Sequence, residues 1–387
     1  MVTILLVLVY MASFSLGLPD ALLGAAWPVM SPALHADISW AGVLSAIITG
    51  GTILSSFFSY RITKKLGTGW VTAISIGMTA LALAGIAFAG NFWVICLLAI
   101  PYGLGAGAVD AALNNYLATH YSSRYMNWLH CFWGIGATVG PYIMSWAVGT
   151  TKGWRLGYGT TAWIQLIFTV ILFAALPLWK KKEQASLQDN QVTHKSPKPF
   201  KIPGVKKSLV AMFAYNALEM TAGLWASSYL VHFRGVDPVT ASKFAAFYYL
   251  GITVGRLFCG FVADVFGDSK MIRGGTITLA SGILLILQPL DTPLFALLGL
   301  IILGLGAAPI YPAIVHSAPS RFGKGNAQAI VGMQVAFGYI GSTAMPPLFG
   351  LLGQYVSLGL FPWFLGIFLI ITILFTKETP MEGNHDE

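Results

Sequence analysis

Charge is what this 387-residue sequence has least of, with only 9% of its residues Asp, Glu, Lys or Arg. A soluble domain carries about a quarter, so an ordinary globular enzyme is excluded. Acid is the scarcer sign, 14 residues against 22 Lys and Arg. Cysteine is scarcer still: Cys96, Cys131 and Cys259 all lie in apolar runs, which rules out a disulfide scaffold and reads as inert packing. Collagen, coiled coil and disorder fall to the same numbers. His-Glu-x-x-His, Gly-x-Ser-x-Gly and Walker loops are missing. Gly103-Leu-Gly105-Ala-Gly107 lacks the third glycine spacing of a dinucleotide loop. The chain therefore reads as no enzyme and as needing no cofactor. What it has instead is 56% hydrophobic and 13% aromatic residues, 43 Gly and 19 Pro, with a mean hydropathy of +0.73. Those are the marks of an all-α polytopic membrane protein, since only helices or closed barrels satisfy their backbone in lipid.

Spanning the hydrocarbon takes roughly 20 helical residues. Apolar runs between polar breaks give twelve spans, near 4–30, 38–60, 70–89, 92–119, 127–149, 156–179, 208–232, 240–262, 272–289, 293–316, 326–350 and 354–376. The first is too long for a signal-peptide core and no small-residue cleavage site ends it, so it is expected to stay as a helix. Lys and Arg set the orientation. With the N-terminus in the cytoplasm, only Lys152, Arg155, Arg234 and Lys243 fall in outside loops. The net charge of +8 is thus a topology signal rather than a nucleic-acid footprint, and both termini are expected to be cytoplasmic in a cell membrane.

The long polar stretch divides the chain. We expect a six-helix bundle over 1–180, a cytoplasmic linker over 181–207, a second six-helix bundle over 208–377 and a cytoplasmic tail over 378–387. The halves echo each other at an offset of about 200 residues: Gly51 and Gly67 match Gly251 and Gly267, and Gly103-Leu-Gly105 matches Gly304-Leu-Gly306. Two pseudo-symmetric bundles of this kind are the architecture of secondary transporters, with the site between repeats at mid-membrane.

The stretch Gly255-Arg256-Leu-Phe-Cys-Gly260-Phe-Val-Ala-Asp264-Val-Phe-Gly267-Asp-Ser-Lys270 resembles the signature loop of the major facilitator superfamily. The resemblance implies that Asp264, with Arg256, latches one conformation. The first-half copy, Tyr60-Arg61-Ile-Thr-Lys64-Lys65-Leu-Gly67, has Lys64 where the acid should stand, so the latch is expected to be asymmetric. Three segments further resemble the fucose–hexose:proton symporter branch: Gly17-Leu-Pro19-Asp20 through Trp27-Pro28, Asp110-Ala-Ala-Leu-Asn114-Asn115, and Asn216-Ala-Leu-Glu219. The larger sugar-porter family is not matched, because its Arg-rich loop repeats and PETKG-type ending are missing. Gly134-Ile-Gly136-Ala-Thr-Val-Gly140-Pro141 resembles half of the drug:proton antiporter motif, which keeps export in play.

An intramembrane carboxylate costs about 2.5–3.5 kcal/mol on insertion scales, so it faces a cavity or a partner and is read as functional by default. Asp20, Asp110 and Glu219 lie deep in spans and are the candidates for proton coupling. Burial disfavours the charged carboxylate, which suits a group that gains and loses a proton each cycle. Asp110 and Asn114 stand one turn apart on one helix face, where an amide can hold substrate hydroxyls beside a titrating acid. Asn115, His130, Trp133, Asn216, Trp27 and Gln334 complete the expected substrate site: amides and His for hydroxyls, indoles for the apolar face of a sugar ring. His130 reads equally as a packing histidine. Gln334 and Gln165 read equally as helix glue, since amides bind membrane helices together. The combined expectation is proton-coupled uptake of a monosaccharide or small polyol by a monomer in a lipid bilayer. Sodium can use a carboxylate in the same way, so the coupling ion stays open between the two. The alternatives are a proton-driven drug or metabolite exporter and a sugar-sensing receptor, although linker and tail supply no signalling domain.

Overall fold

Apolar runs with no water around them must close their hydrogen bonds within the chain, and here they do so as helices. The computed structural model describes residues 2–121, 123–179, 202–289 and 292–376, with no strand among them. The first half comprises α1 (Val2–Asp20), α2 (Leu22–Ala33), α3 (Trp40–Leu66), α4 (Thr68–Phe88), α5 (Phe92–His120), α6 (Ser123–Val148) and α7 (Trp154–Ala174). The second comprises α8 (Val205–His232), α9 (Pro238–Phe266), α10 (Asp268–Leu287), α11 (Leu294–Ala307), α12 (Ile310–His316), α13 (Ala318–Phe322), α14 (Lys324–Leu352) and α15 (Phe361–Thr376). Among the described residues nine stretches are long and apolar enough to cross a membrane, and the last of them, Ile330–Thr376, contains both α14 and α15. Helices α6 and α8 reach spanning length, at 26 and 28 residues, while carrying more polar side chains.

Each expected span coincides with a helical stretch, with two differences. The first is broken after Asp20 and runs on to Ala33, and the tenth is broken at Ala308–Pro309. Proline explains both, because it has no N–H to give and crowds the preceding turn. Pro19 in α1 leaves the carbonyl of Ser15 without its usual donor. Gln165 of α7 supplies one, its Nε2 lying 2.7 Å from that oxygen. Residues 181–201 of the expected linker, and the tail, fall outside the described residues. Helix α8 begins at Val205, inside the stretch expected to be linker.

The halves pack alike. Helix α1 lies on α6, α3 on α5 and α4 on α7; correspondingly α8 lies on α14, α9 on α11 and α10 on α15. This is an all-α fold of two pseudo-symmetric helical bundles. The echoed glycines are where the symmetry is made. A Cβ on Gly103 would fall 2.2 Å from the Ile48 carbonyl oxygen, and one on Gly304 would fall 2.1 Å from that of Tyr248. Only glycine lets backbones approach so closely. Gly67 and Gly267, at φ 86° and 74°, end α3 and α9 identically, each N–H reaching the carbonyl four residues back at 2.8 Å.

Between the bundles, α2 meets α8 and α9, α3 meets α14, and α6 meets α9. Among the described residues three hydrogen bonds cross this interface: Ser242 Oγ to Ala25 O at 2.7 Å, Ser145 Oγ to Val239 O at 2.9 Å, and Ser39 N to Gln354 Oε1 at 3.3 Å. All three lie at the end of the molecule away from the linker, which is thereby sealed.

Candidate functional site

The break after Pro19 sets Asp20 at the middle of the first span. Its carboxylate takes two donors, Tyr102 OH on Oδ1 at 3.2 Å and Trp133 Nε1 on Oδ2 at 2.7 Å. Despite this central position Asp20 is exposed, as is His130, because both face a space between the bundles. Asp110 of α5 lies within electrostatic reach of Asp20. Its Oδ1 accepts from Asn114 Nδ2 at 2.9 Å, and the same amide also reaches the Asp110 backbone oxygen. Asn115 is exposed on the next position.

From the second bundle comes Glu219, midway along α8. Arg256 of α9 brings Nη2 to 3.4 Å from Glu219 Oε1, and its guanidinium stands 5.7 Å from the Trp133 ring of the other bundle. Arg256 was expected to serve the loop latch with Asp264. Its guanidinium, two turns before Asp264 on α9, is turned toward Glu219, where a largely buried cation needs a carboxylate. The side chain of Asp264 is outside the described residues. Tyr215 OH donates to Ala307 O at 2.8 Å, at the α11–α12 break, and lies beside both Glu219 and Arg256. Tyr311 and Tyr339 face Asp110 from α12 and α14.

Three expected substrate contacts are placed elsewhere. Trp27 is fully buried, with Nε1 donated to Ile38 O at 2.7 Å and its ring edge-on to Phe92. Gln334 is fully buried and donates to Ser208 Oγ at 2.6 Å, tying α14 to α8 within one bundle. Asn216 turns its amide onto its own helix, Nδ2 to Met212 O at 2.9 Å. In each case a nearby backbone or hydroxyl group takes the side-chain N–H, while Gln334 Oε1 stays buried without a partner. Gly136 and Gly140, in the run that resembles an antiporter motif, lie where a Cβ would strike Phe14 O at 2.1 Å and Leu18 O at 2.0 Å, so they let α6 pack on α1. The residues that sequence reasoning passed over are Tyr102, Tyr311 and Tyr339. With 15 tyrosines in the chain, composition does not single them out; Tyr102 alone carried a hint, following Pro101 inside a span. Among the described residues no group of three or more His, Cys, Asp or Glu could hold a metal ion.

Gln165 offers a test of how Asp20 is positioned. It is fully buried, bonded to Ser15 O and to Thr79 Oγ1. Gln165→Leu is expected to strand the carbonyl that Pro19 frees, at a cost of about 1–3 kcal/mol for an unpaired buried acceptor. Thermal unfolding in detergent measures it, and an unchanged midpoint would remove this support from the account of the break.

A family profile described as Major Facilitator Superfamily matches residues 9–242 and again 208–386. The chain is 26% identical over 401 residues to Bypass of stop codon protein 6 of Saccharomyces cerevisiae, covering 94% of this chain and 79% of that protein. It is 22% identical over 324 residues to the glucose/mannose transporter GlcP of Bacillus subtilis, covering 78% and 77%. Its fold superposes on the solved nucleoside transporter NupG with a TM-score of 0.78 at 14% identity, over 96% of this chain and 98% of that one.

Proposed function

Because the chain belongs to the Major Facilitator Superfamily, and is therefore a membrane transporter and not an enzyme, we propose that it takes up a monosaccharide or small polyol together with a proton, by alternating access between its two bundles. One observation carries this reading. Two carboxylates with different partners, Asp20 held by Tyr102 and Trp133 and Asp110 held by Asn114, share one solvent-reached space between the bundles. Asp110, with a single amide donor, is the proposed proton carrier. Asp20, His130 and the surrounding tyrosines offer the hydrogen bonds that a polyol needs. Similarity to a glucose/mannose transporter supports the sugar class. The excess of Lys and Arg at the linker end supports a cytoplasmic position for that end, so that this conformation opens inward. Protonation removes the cost of enclosing a charged carboxylate as the cavity dries and closes, which makes the loaded carrier the form that turns.

The test is the external pH of de-energised cells carrying the protein while hexoses, pentoses and polyols are added in turn. Alkalinisation with one sugar is the expected result. Silence across the panel from folded protein would sink sugar–proton uptake and put export first, and a response that follows added sodium would transfer the coupling to that ion.

A further inference from the structure

The ion pair at the centre has donors to spare. A guanidinium carries five N–H groups. In Arg256 the contact to Glu219 is 3.4 Å, well beyond the 2.7–2.9 Å of a good charge-assisted bond. Its Nε is buried without a partner. A buried donor left unmade is expensive, and a planar fork with open positions is shaped for a carboxylate. Both side chains remain partly open, 16% and 13% exposed, so the fork is accessible from the space that contains Asp20. Resting on the transport reading above, we infer that the transported monosaccharide is acidic, of the hexuronate or hexonate class, and that its carboxylate takes Arg256 from Glu219, which then binds a proton of its own beside the one that Asp110 carries.

The charge count requires the second half of that statement. Asp20, Asp110 and Glu219 already outnumber Arg256, and a fourth negative charge in a low-dielectric cavity must arrive with a compensating one. Glu219 is the group that loses its counter-ion. The titratable groups facing it are Tyr215 on its own helix, Tyr248, Tyr249 and Arg256 on α9, and Tyr311 on α12. His130 of α6 faces Arg256 from the other bundle. None of the others is a standing cation, so once the guanidinium is taken a proton is the simplest replacement. The step balances: the Arg256–Glu219 contact breaks, an Arg256–substrate carboxylate contact forms, and one proton from the aqueous cavity becomes the O–H of Glu219. No electrons move.

The experiment is counterflow of labelled D-glucuronate and D-glucose in proteoliposomes containing the full chain, and, in a separate run with substrate outside only, proton entry recorded by an enclosed dye. The expected result is preferential exchange of glucuronate, and net entry with two protons per molecule, one at Asp110 and one at Glu219. Arg256→Gln is expected to weaken glucuronate binding at least about 30-fold, the loss seen when one partner of a buried charge pair is removed. Glu219→Gln, which keeps the shape and removes the titrating oxygen, is expected to take up glucuronate with one proton fewer per molecule and serves if the arginine variant fails to fold. Glucose exchanged with glucuronate excluded would overturn this inference while leaving the sugar-transport reading standing. Undiminished proton uptake in Glu219→Gln would overturn it as well. Exchange of neither sugar by folded protein would overturn both.

Discussion

Asp110→Asn is expected to abolish uphill accumulation of substrate while leaving slower downhill exchange. Asparagine fills the same volume one turn from Asn114, so the local packing of α5 survives, but the position no longer takes up a proton. The size of the effect is set by thermodynamics. One coupled proton contributes 1.36 kcal/mol per pH unit, a factor of ten in the accumulation ratio. Across a gradient of two pH units the coupled protein should concentrate substrate about 100-fold, and the variant should stop at equality. Labelled substrate in proteoliposomes gives the ratio directly. A variant that accumulates like the parent would move the proton to Asp20 or Glu219.

The second large effect is expected at Gly24. Its missing side chain is covered by the other bundle: a Cβ would fall 2.5 Å from Gly223 O and 2.9 Å from Leu224 O. Leucine there strikes backbone, which cannot rotate away, yet the obstruction lies between the bundles rather than within one. Gly24→Leu should therefore fold and be unable to close its far end. Overpacking of a tight contact costs about 1–3 kcal/mol, enough to shift the conformational balance roughly 5- to 150-fold toward the outward-open form. Uptake should fall accordingly, and a cysteine placed at Ser242, which now bonds Ala25, should become reactive from the far side. Labelling and uptake equal to the parent would contradict a seal at this contact.

The fold was legible because its signals are chemical and repeated. Apolar run length gave the helices, and the matched glycines Gly103 and Gly304 announced the repeated crossing that the structure places within half an ångström of the same distance. The breaks were half legible. Pro19 stands inside an apolar run, where a proline interrupts the helix, but the donor that replaces its missing bond, Gln165, lies on a distant helix with nothing in its surroundings to mark it. In the site, the interior acids stood out because a membrane span tolerates few charges, and Asp20 and Asp110 do face a common space. Side-chain direction is what hydropathy leaves unread. It hid the inward tyrosines Tyr102, Tyr311 and Tyr339, and it let Trp27 and Gln334 pass for ligand contacts when both are fully buried and give their N–H groups to nearby protein oxygens. It also hid Arg256, whose place beside a signature-like loop drew attention away from its partner Glu219 on α8.

The seal at the far end is made of small neutral contacts, a serine hydroxyl or a backbone amide to an oxygen, and not of ion pairs. Each such bond contributes about 0.5–1.5 kcal/mol net, so the three together add about 2–4 kcal/mol toward holding that end shut. An equilibrium biased by that amount leaves the opposite conformer at roughly 0.1–5% of the population. The empty protein is therefore expected to sample both faces of the membrane on its own, and what a substrate and its ion supply is permission for the loaded form to make a journey whose energetic scale is a few multiples of thermal energy.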